Sequence, residues 1–195
     1  CRRAIHIMMT DGYWNNGSSI QTVDAEIPIT NVDNNAGPNI GGPGGQTYQY
    51  VPSAPYMDIY PTPADVNATG QTAYKNTRAD IALYYWYQDL RSDLDNLLKP
   101  IKKLGRENPA FWQHLTTYGI AFGVDGTLKN PEDLPALISG AKTWGNPKPS
   151  SSGTSGNPAG IDDLWHATIN SRGLLLSAKN STEYTTALTS IIDDV

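Results

Sequence analysis

The sequence predicts an α/β fold built around a doubly wound parallel sheet. Strand-like and helix-like segments alternate in the order β, α, β, α, β, α, which is typical of parallel strands joined by helical crossovers. The first strand-like segment, Ala4 to Met9, is nearly all apolar, as strands covered by helices on both faces tend to be. With 195 residues, 38% of them hydrophobic, the chain can bury one sizeable core.

The first strand runs directly into a Thr-Asp-Gly turn and two aromatic residues. In open parallel sheets ligands bind outside the carboxyl ends of the strands, which is where this turn lies. We therefore expect Asp11 at a functional edge, with Tyr13 and Trp14 as candidate binding residues, because amphipathic rings suit recognition surfaces. The alternative is a structural turn in which the Asp11 carboxylate caps the following backbone amides.

Two segments have the composition of insertions. Residues 28–63 contain seven prolines and five glycines, which forbids a continuous helix or a central strand and predicts a long open loop. Its tyrosines, Tyr48, Tyr50, Tyr56 and Tyr60, are candidates for recognition because loops often carry it. Residues 31–35 resemble a calcium loop only superficially and are interpreted as a polar turn. Residues 145–160 have a flexible-linker composition and are expected to lie outside any core.

The middle of the chain predicts a helix followed by a strand. Thr77 with Asp80 three residues later forms a capping signature, and an apolar stripe continues the helix from Thr77 to Leu98. A short helical turn is expected from Asn108 to Leu115. The β-branched and aromatic residues of Thr116–Val124 then predict a buried strand.

The last third predicts helix, strand, helix. Asp162–Asn170 is helix-like, Leu174–Leu176 forms a short strand, and Asn180 with Glu183 caps a final helix. The strands near Ile5, Ile120 and Leu175 should therefore lie parallel and adjacent, with the long helix packed on one face.

Charge and motifs exclude several function classes. The net charge is −5 and no run of Lys or Arg exceeds two, so nucleic acid is not an expected partner. No apolar stretch approaches the roughly 20 residues of a membrane span. The histidines His6, His114 and His166 are not spaced as in a metal-binding motif such as H-E-x-x-H, and they are interpreted as structural. The sequence contains no G-x-S-x-G nucleophile elbow, so no motif in it indicates a hydrolase.

Several stretches resemble the second half of a von Willebrand factor type A domain. MMTDGYWNN is similar to the fourth-strand signature, YGIAFGVDG to the fifth strand, and RGLLLSAKNSTEYTTAL to the last strand and helix. More narrowly, the chain resembles the amino-terminal A-type domain of the type IV pilus tip-associated adhesins, the PilY/PilC-like proteins, through TDGYWNN, ADIALYYWYQDLR, NPAFWQHLTTYGIAFGVDGTL and DDLWHATINSRG. The resemblance implies a Rossmann-type sheet of which this chain carries only the second half, with long Pro/Gly-rich insertions.

The resemblance also implies a metal site to which this chain contributes one ligand. Metal-binding A-type domains hold Mg²⁺, Ca²⁺ or Mn²⁺ with an Asp-x-Ser-x-Ser loop, a threonine and the aspartate of Thr-Asp-Gly, all hard oxygen ligands. Only the last, Asp11, is present in this sequence. The ion is therefore expected only if the upstream half of the domain, or another chain, completes the site.

Two function classes follow. The resemblance implies a non-enzymatic adhesion and assembly module, exported to the bacterial surface or pilus tip, with pilus minor subunits and a host or abiotic surface as partners. The alternative is a secreted small-molecule-binding or hydrolytic α/β domain that uses the sheet edge around Asp11.

The start of the sequence leads to two expectations. Cys1 is either a free buried thiol or the partner of a cysteine outside this chain. In a doubly wound sheet the fourth strand pairs with the first. We therefore expect the outer edge of Ala4–Met9 to be covered by an upstream segment or a neighbouring chain, and the isolated chain to be unstable.

Overall fold

The computed structural model describes residues 3–13, 31–58, 74–103, 106–147 and 156–194. A short 3₁₀ turn at Pro43–Gly45 separates the second and third strands. Within these ranges the elements are β1 (Ala4–Thr10), β2 (Asn39–Gly41), β3 (Thr47–Gln49), α1 (Arg78–Tyr87), β4 (Ile101–Lys103), β5 (Arg106–Asn108), β6 (Leu115–Phe122), α2 (Leu134–Ile138), α3 (Ala159–Asn170), β7 (Leu175–Ala178) and α4 (Ser181–Asp194).

A three-stranded parallel sheet forms the centre of the fold. Its order is β1-β6-β7, with Ile5 opposite Thr116 and Ile120 opposite Leu176. The predicted parallel pairing of these three strands is confirmed. Two small antiparallel pairs, β2 with β3 and β4 with β5, lie outside this sheet.

Helices cover both faces of the sheet. Tyr118 and Ile120 of β6 pack with α4, whereas Ala121 packs with α3 on the opposite face. The helix α1 packs against α3 and β6. At Gly119 a Cβ atom would lie only 2.7 Å from a methyl carbon of Leu175, so glycine allows α3 and β7 to approach the middle of β6 closely. The α/β class is therefore confirmed.

The strand β1 is less buried than its apolar sequence predicts. Ile5 is 39% exposed and Met9 is 56% exposed. In the described part of the chain, β1 pairs only with β6 and forms one end of the sheet. The expectation of a strand covered on both faces is wrong for these residues, because α3 and α4 lie over β6 and β7.

The helix α1 ends eleven residues before the predicted end at Leu98, at Tyr87, and Gln88 is already extended. Tertiary hydrogen bonds replace the helix beyond this point, since Leu90 N–H donates to Gln113 O and Leu98 N–H donates to Phe111 O. The apolar stripe continues along a turn-rich segment, and its leucines at 90, 94 and 97 are exposed. The predicted capping signature at the start of the helix is confirmed.

Residues 31–58 are folded into the core, which corrects the expected open loop. Val32, Ile40 and Tyr50 are buried against α1 and against residues 110–112. The ring of Tyr48 lies 4.8 Å from that of Trp112, and the Tyr50 hydroxyl donates to Asp33 O over 2.6 Å. Aromatic packing therefore uses these tyrosines structurally. Residues 28–30 and 59–63, which include Tyr60, lie outside the described residues.

Three smaller expectations also change. The helical turn expected from Asn108 to Leu115 is absent, because Asn108 ends β5 and its side-chain oxygen accepts the Ala110 N–H and the Trp86 ring N–H. The sequence did not predict the three-residue strands of the β4–β5 pair or the short helix α2. The second insertion ends before 160, since Ala159 and Gly160 are buried in α3; residues 148–155 lie outside the described residues.

Two buried carboxylates hold the start of α1. Asp80 completes the capping box with Thr77, and its Oδ1 also accepts the Val32 N–H at 2.7 Å. Asp163 of α3 accepts the Arg78 N–H at 3.1 Å and the Ala79 N–H at 3.2 Å, and it pairs with the Arg78 guanidinium at 3.3 Å. These bonds satisfy the free N–H groups of the helix end and join three segments of the chain.

We predict that Asp163→Ala lowers the free energy of unfolding by about 2 to 4 kcal/mol, because it leaves two buried N–H groups and a largely buried guanidinium without an acceptor. Urea unfolding followed by tryptophan fluorescence measures the change. Asp93→Ala is the matched control, since Asp93 forms an exposed ion pair with Arg91. Equal midpoints for the two variants would contradict this role of Asp163.

Candidate functional site

The turn after β1 lies at the carboxyl edge of the sheet, as predicted. The Thr10 hydroxyl donates to Gly12 O at 2.6 Å and closes the turn. Asp11, between them, has an exposed side chain. The structure therefore presents the Asp11 carboxylate to solvent at the edge where ligands of such sheets bind.

Tyr13 links the loops that follow two neighbouring strands. Its hydroxyl donates to Asp125 O, beyond the end of β6, at 3.0 Å. The side chain remains 39% exposed, so one end is bonded and part of the ring is accessible. Tyr13 is thus placed at the predicted edge, whereas Trp14 lies outside the described residues.

A cleft of about 580 Å³ opens at the same edge of the sheet. It is lined by the loop 124–130, by the first turns of α3 and by Leu175 and Ser177 of β7. Lys129 and Glu132 contribute charged groups, and Trp165 and Ile161 contribute apolar surface. A lining that combines a few charged groups with apolar side chains is common in small-molecule sites.

Asp162 fixes the loop that forms one wall of this cleft. Its Oδ2 accepts the Thr127 N–H at 3.1 Å, and its Oδ1 accepts the Leu128 N–H at 3.1 Å. The Thr127 hydroxyl also donates to Oδ2. A side chain at Gly126 would collide with this carboxylate, so the close approach requires glycine. The sequence identifies Asp162 only as the first residue of a predicted helix. The adjacent pair of aspartates, 162 and 163, is the one feature that could have indicated a functional role.

The described residues do not by themselves form the metal site implied at this edge. Among them, no three histidine, cysteine, aspartate or glutamate side chains are grouped so that they could hold a metal ion. An ion at Asp11 would need oxygen ligands from other residues, since one carboxylate cannot hold Mg²⁺, Ca²⁺ or Mn²⁺.

Two histidines are buried and neutral. His114 Nδ1 lies 2.8 Å from Trp112 O, and burial lowers the pKa of His114 to about 4. His166 Nε2 lies 2.9 Å from Tyr56 O, its ring stacks on Trp144, and burial lowers the pKa of His166 to about 3. Their hydrogen bonds and packing support the predicted structural role.

A second, apolar groove runs beside β1. It has a volume of about 250 Å³ and lies between β1, the start of β6, α1 and α3. His6 and Met8 of β1 line one side, and Ile81 and Tyr85 of α1 line the other. The groove lies on the face of β1 that carries His6 and Met8, whereas the exposed Ile5 and Met9 alternate onto the opposite face, where Met9 contacts Tyr184 of α4.

Three curated relatives match the chain over almost its whole length. All three are the type IV pilus biogenesis factor PilY1 of Pseudomonas aeruginosa. The protein of strain UCBPP-PA14 is 33% identical over 98% of this chain, that of strain PAK is 30% identical over 100%, and that of strain PAO1 is 29% identical over 100%. The chain is homologous to a region of PilY1. It spans 16% of the length of each of these relatives.

No family model and no solved structure matches the chain. In the described ranges, no helix is long and apolar enough to cross a membrane. The similarity to PilY1 agrees with the sequence resemblance to pilus-associated proteins, and the α/β sheet agrees with the fold that this resemblance implies.

We predict that Asp162→Ala releases the cleft wall, because the partly buried N–H groups of Thr127 and Leu128 then lose their acceptor. Amide hydrogen exchange at these two positions should accelerate at least tenfold, as expected for about 1.4 kcal/mol of lost protection. Asp125→Ala is the control because its side chain is exposed. Unchanged exchange in Asp162→Ala would show that the loop is held by other contacts.

Proposed function

We propose that this chain is part of a type IV pilus biogenesis factor and acts in the assembly and surface attachment of the pilus. The observation that carries the proposal is the 33% identity to PilY1 over 98% of the chain. The chain spans 16% of the length of this relative, so the proposal assigns it a share in that activity and not the whole of it. A non-enzymatic role at the pilus tip or cell surface, with pilus minor subunits and a host or abiotic surface as partners, forms the rest of the proposal.

The described fold supports a von Willebrand A-like half-domain within this proposal. Three parallel strands have helices on both faces, and the Thr-Asp-Gly turn lies at the carboxyl edge. A divalent ion would be held by Asp11 together with oxygen ligands from an upstream segment. Tyr13, fixed by its bond to Asp125 O, would form part of the surface around that ion.

The exposed edge of β1 supports completion of the sheet by an upstream segment of the same protein. An apolar strand edge left open invites aggregation, so proteins cover such edges. Ile5 and Met9 are exposed on one face of β1, and the groove lined by His6 and Met8 opens on the other face. A preceding strand that pairs with β1 would cover its edge, and crossover helices on the two faces would bury the groove on one side and Ile5 and Met9 on the other.

A small-molecule role for the same edge is the alternative. The 580 Å³ cleft beside the loop 124–130 favours it. Lys129 and Glu132 at the cleft could orient a polar ligand. Substitution of both residues by alanine would abolish pilus function if the cleft binds an essential ligand, and would leave it intact if attachment depends on the ion at Asp11.

We predict that Asp11→Ala in the chromosomal gene of the source bacterium reduces surface attachment at least tenfold while the protein is still produced. The ion-bridging carboxylate is lost, but the exposed position should not affect folding. Attachment counts and pilus numbers measure the effect, and Asp125→Ala is the exposed control. Calorimetric titration of a protein that includes the upstream segment should show divalent-ion binding that Asp11→Ala abolishes; equal binding would remove Asp11 from the site.

We predict that the edge of β1 is protected only when the upstream segment is present. The N–H groups of residues 4–10 that face away from β6 should exchange slowly in the longer protein and at least a hundredfold faster in the chain alone, since an unpaired strand edge leaves them open to solvent. β7, whose Leu175 is buried, is the internal control. Equal protection of β1 in both proteins, with the chain a monodisperse monomer, would contradict completion by an upstream segment.

A further inference from the structure

Four buried carboxylates surround the start of α1. Asp33, Asp58, Asp80 and Asp163 are each less than 5% exposed, and the charges of the other three act on Asp33. Asp80 and Asp163 are compensated by the helix N–H groups, and Asp163 also by Arg78. Asp33 and Asp58 bind neither the N–H groups of the helix nor Arg78, although Asp58 Oδ2 accepts the Tyr74 N–H at 2.8 Å.

Asp33 and Asp58 have no basic partner in the part of the chain that the structure describes. The nearest candidate is His166, whose Nε2 lies 3.7 Å from Asp33 Oδ2 but whose ring is buried and neutral. Asp33 is fully buried, and its Oδ2 accepts no hydrogen bond. An anionic oxygen without a donor or a cation is costly in such a position, which points to a group that compensates it.

The side-chain amide of Asn34 lies between these two carboxylates. One of its terminal atoms is 2.8 Å from Asp33 Oδ1, 2.7 Å from Asp58 Oδ1 and 3.3 Å from the Asp58 backbone nitrogen. If this atom is the amide oxygen, three oxygens converge. If it is the amide nitrogen, it donates to both carboxylates but faces the Asp58 N–H, donor against donor. With the oxygen in this position the Asp58 N–H has its acceptor, and a cation among the three converging oxygens removes the remaining repulsion between them.

We propose that Asp33, Asn34 and Asp58 bind a divalent cation of the calcium type through their side-chain oxygens. Calcium takes carboxylate and amide oxygens together with water, in flexible geometry, and two carboxylates balance its charge. The site has two acidic ligands, and the Asn34 oxygen is the third. Asn31 supplies a further buried side-chain oxygen without a hydrogen-bond partner in the same short segment.

The pKa values of the two acids agree with this geometry. Burial and the neighbouring carboxylates raise the pKa of Asp33 to about 10 and that of Asp58 to about 7. Without an added positive charge, Asp33 would therefore hold a proton at neutral pH. A bound cation would displace that proton and would join the two ends of the segment 33–58, which contains the β2–β3 pair.

Metal content of the whole protein, including the sequence that flanks this chain in its native gene, tests the proposal. After chelation and dialysis, Ca²⁺ is returned and bound metal is measured by mass spectrometry, with Tb³⁺ luminescence excited through the protein's aromatic residues as a second readout. The wild type should bind one equivalent more than Asp58→Asn. Asp11→Ala should retain this equivalent, so the result does not depend on the ion site of the proposed function.

Asn34→Asp provides a variant with the opposite sign. If a cation is bound, a third carboxylate keeps or tightens binding. If a proton is bound instead, the added charge destabilises the fold, and the wild type lacks this equivalent of Ca²⁺ beyond any ion held at Asp11. Should Asp58→Asn fail to fold, Asn34→Ala replaces it and should weaken this site at least tenfold. Equal Ca²⁺ binding by the wild type and the folded variant would overturn the proposal and assign the proton to Asp33.

Discussion

The start of α1 is the point on which the rest of the structure depends. A helix end exposes N–H groups that must find acceptors, and here the acceptors are carboxylates from elsewhere in the chain. Asp163 brings α3 to this end, and Asp80 binds the backbone at Val32. The helix that covers β6, the helix beside it and the segment before the β2–β3 pair therefore meet at one buried polar centre. Apolar packing around Trp86 surrounds this centre but does not by itself set its geometry.

The sequence specified the central sheet because its signals there are local and agree with one another. Leu115–Phe122 is rich in β-branched and aromatic residues, Leu175–Ala178 begins with two leucines, and parallel pairing follows from the crossover rule. The cap of α4 was also predicted from the sequence, and the structure confirms it: Asn180 Oδ1 accepts the N–H groups of Thr182 and Glu183. At the candidate site, the position of Asp11 at the sheet edge followed from the same rule.

The parts that could not be predicted depend on contacts between distant residues. Prolines and glycines correctly indicated that residues 31–58 lack long elements, but composition cannot show that Trp86 and Trp112 offer a surface for Tyr48. The early end of α1 has the same origin, because Gln113 supplies an acceptor to Leu90 that a continued helix would not use. Hydrophobic periodicity cannot predict that an aspartate is buried, so the sequence indicated only that Asp33 and Asp58 lie in a loop.

The acidic groups at the carboxyl edge and those around the start of α1 differ in their exposure to solvent. At the carboxyl edge Asp11 is exposed and Tyr13 is partly exposed, so a partner can reach them without opening the fold. Around α1 the carboxylates are closed off from water, and any compensating charge must enter as the segment 31–58 folds. A substitution at the carboxyl edge should therefore alter recognition with little effect on the free energy of unfolding. A substitution that leaves an uncompensated charge at Asp33 or Asp58 should lower the free energy of unfolding first. The exposed strand β1 leads directly into the Asp11 turn and borders the groove that Arg78 also lines, and under the proposed function an upstream segment covers it.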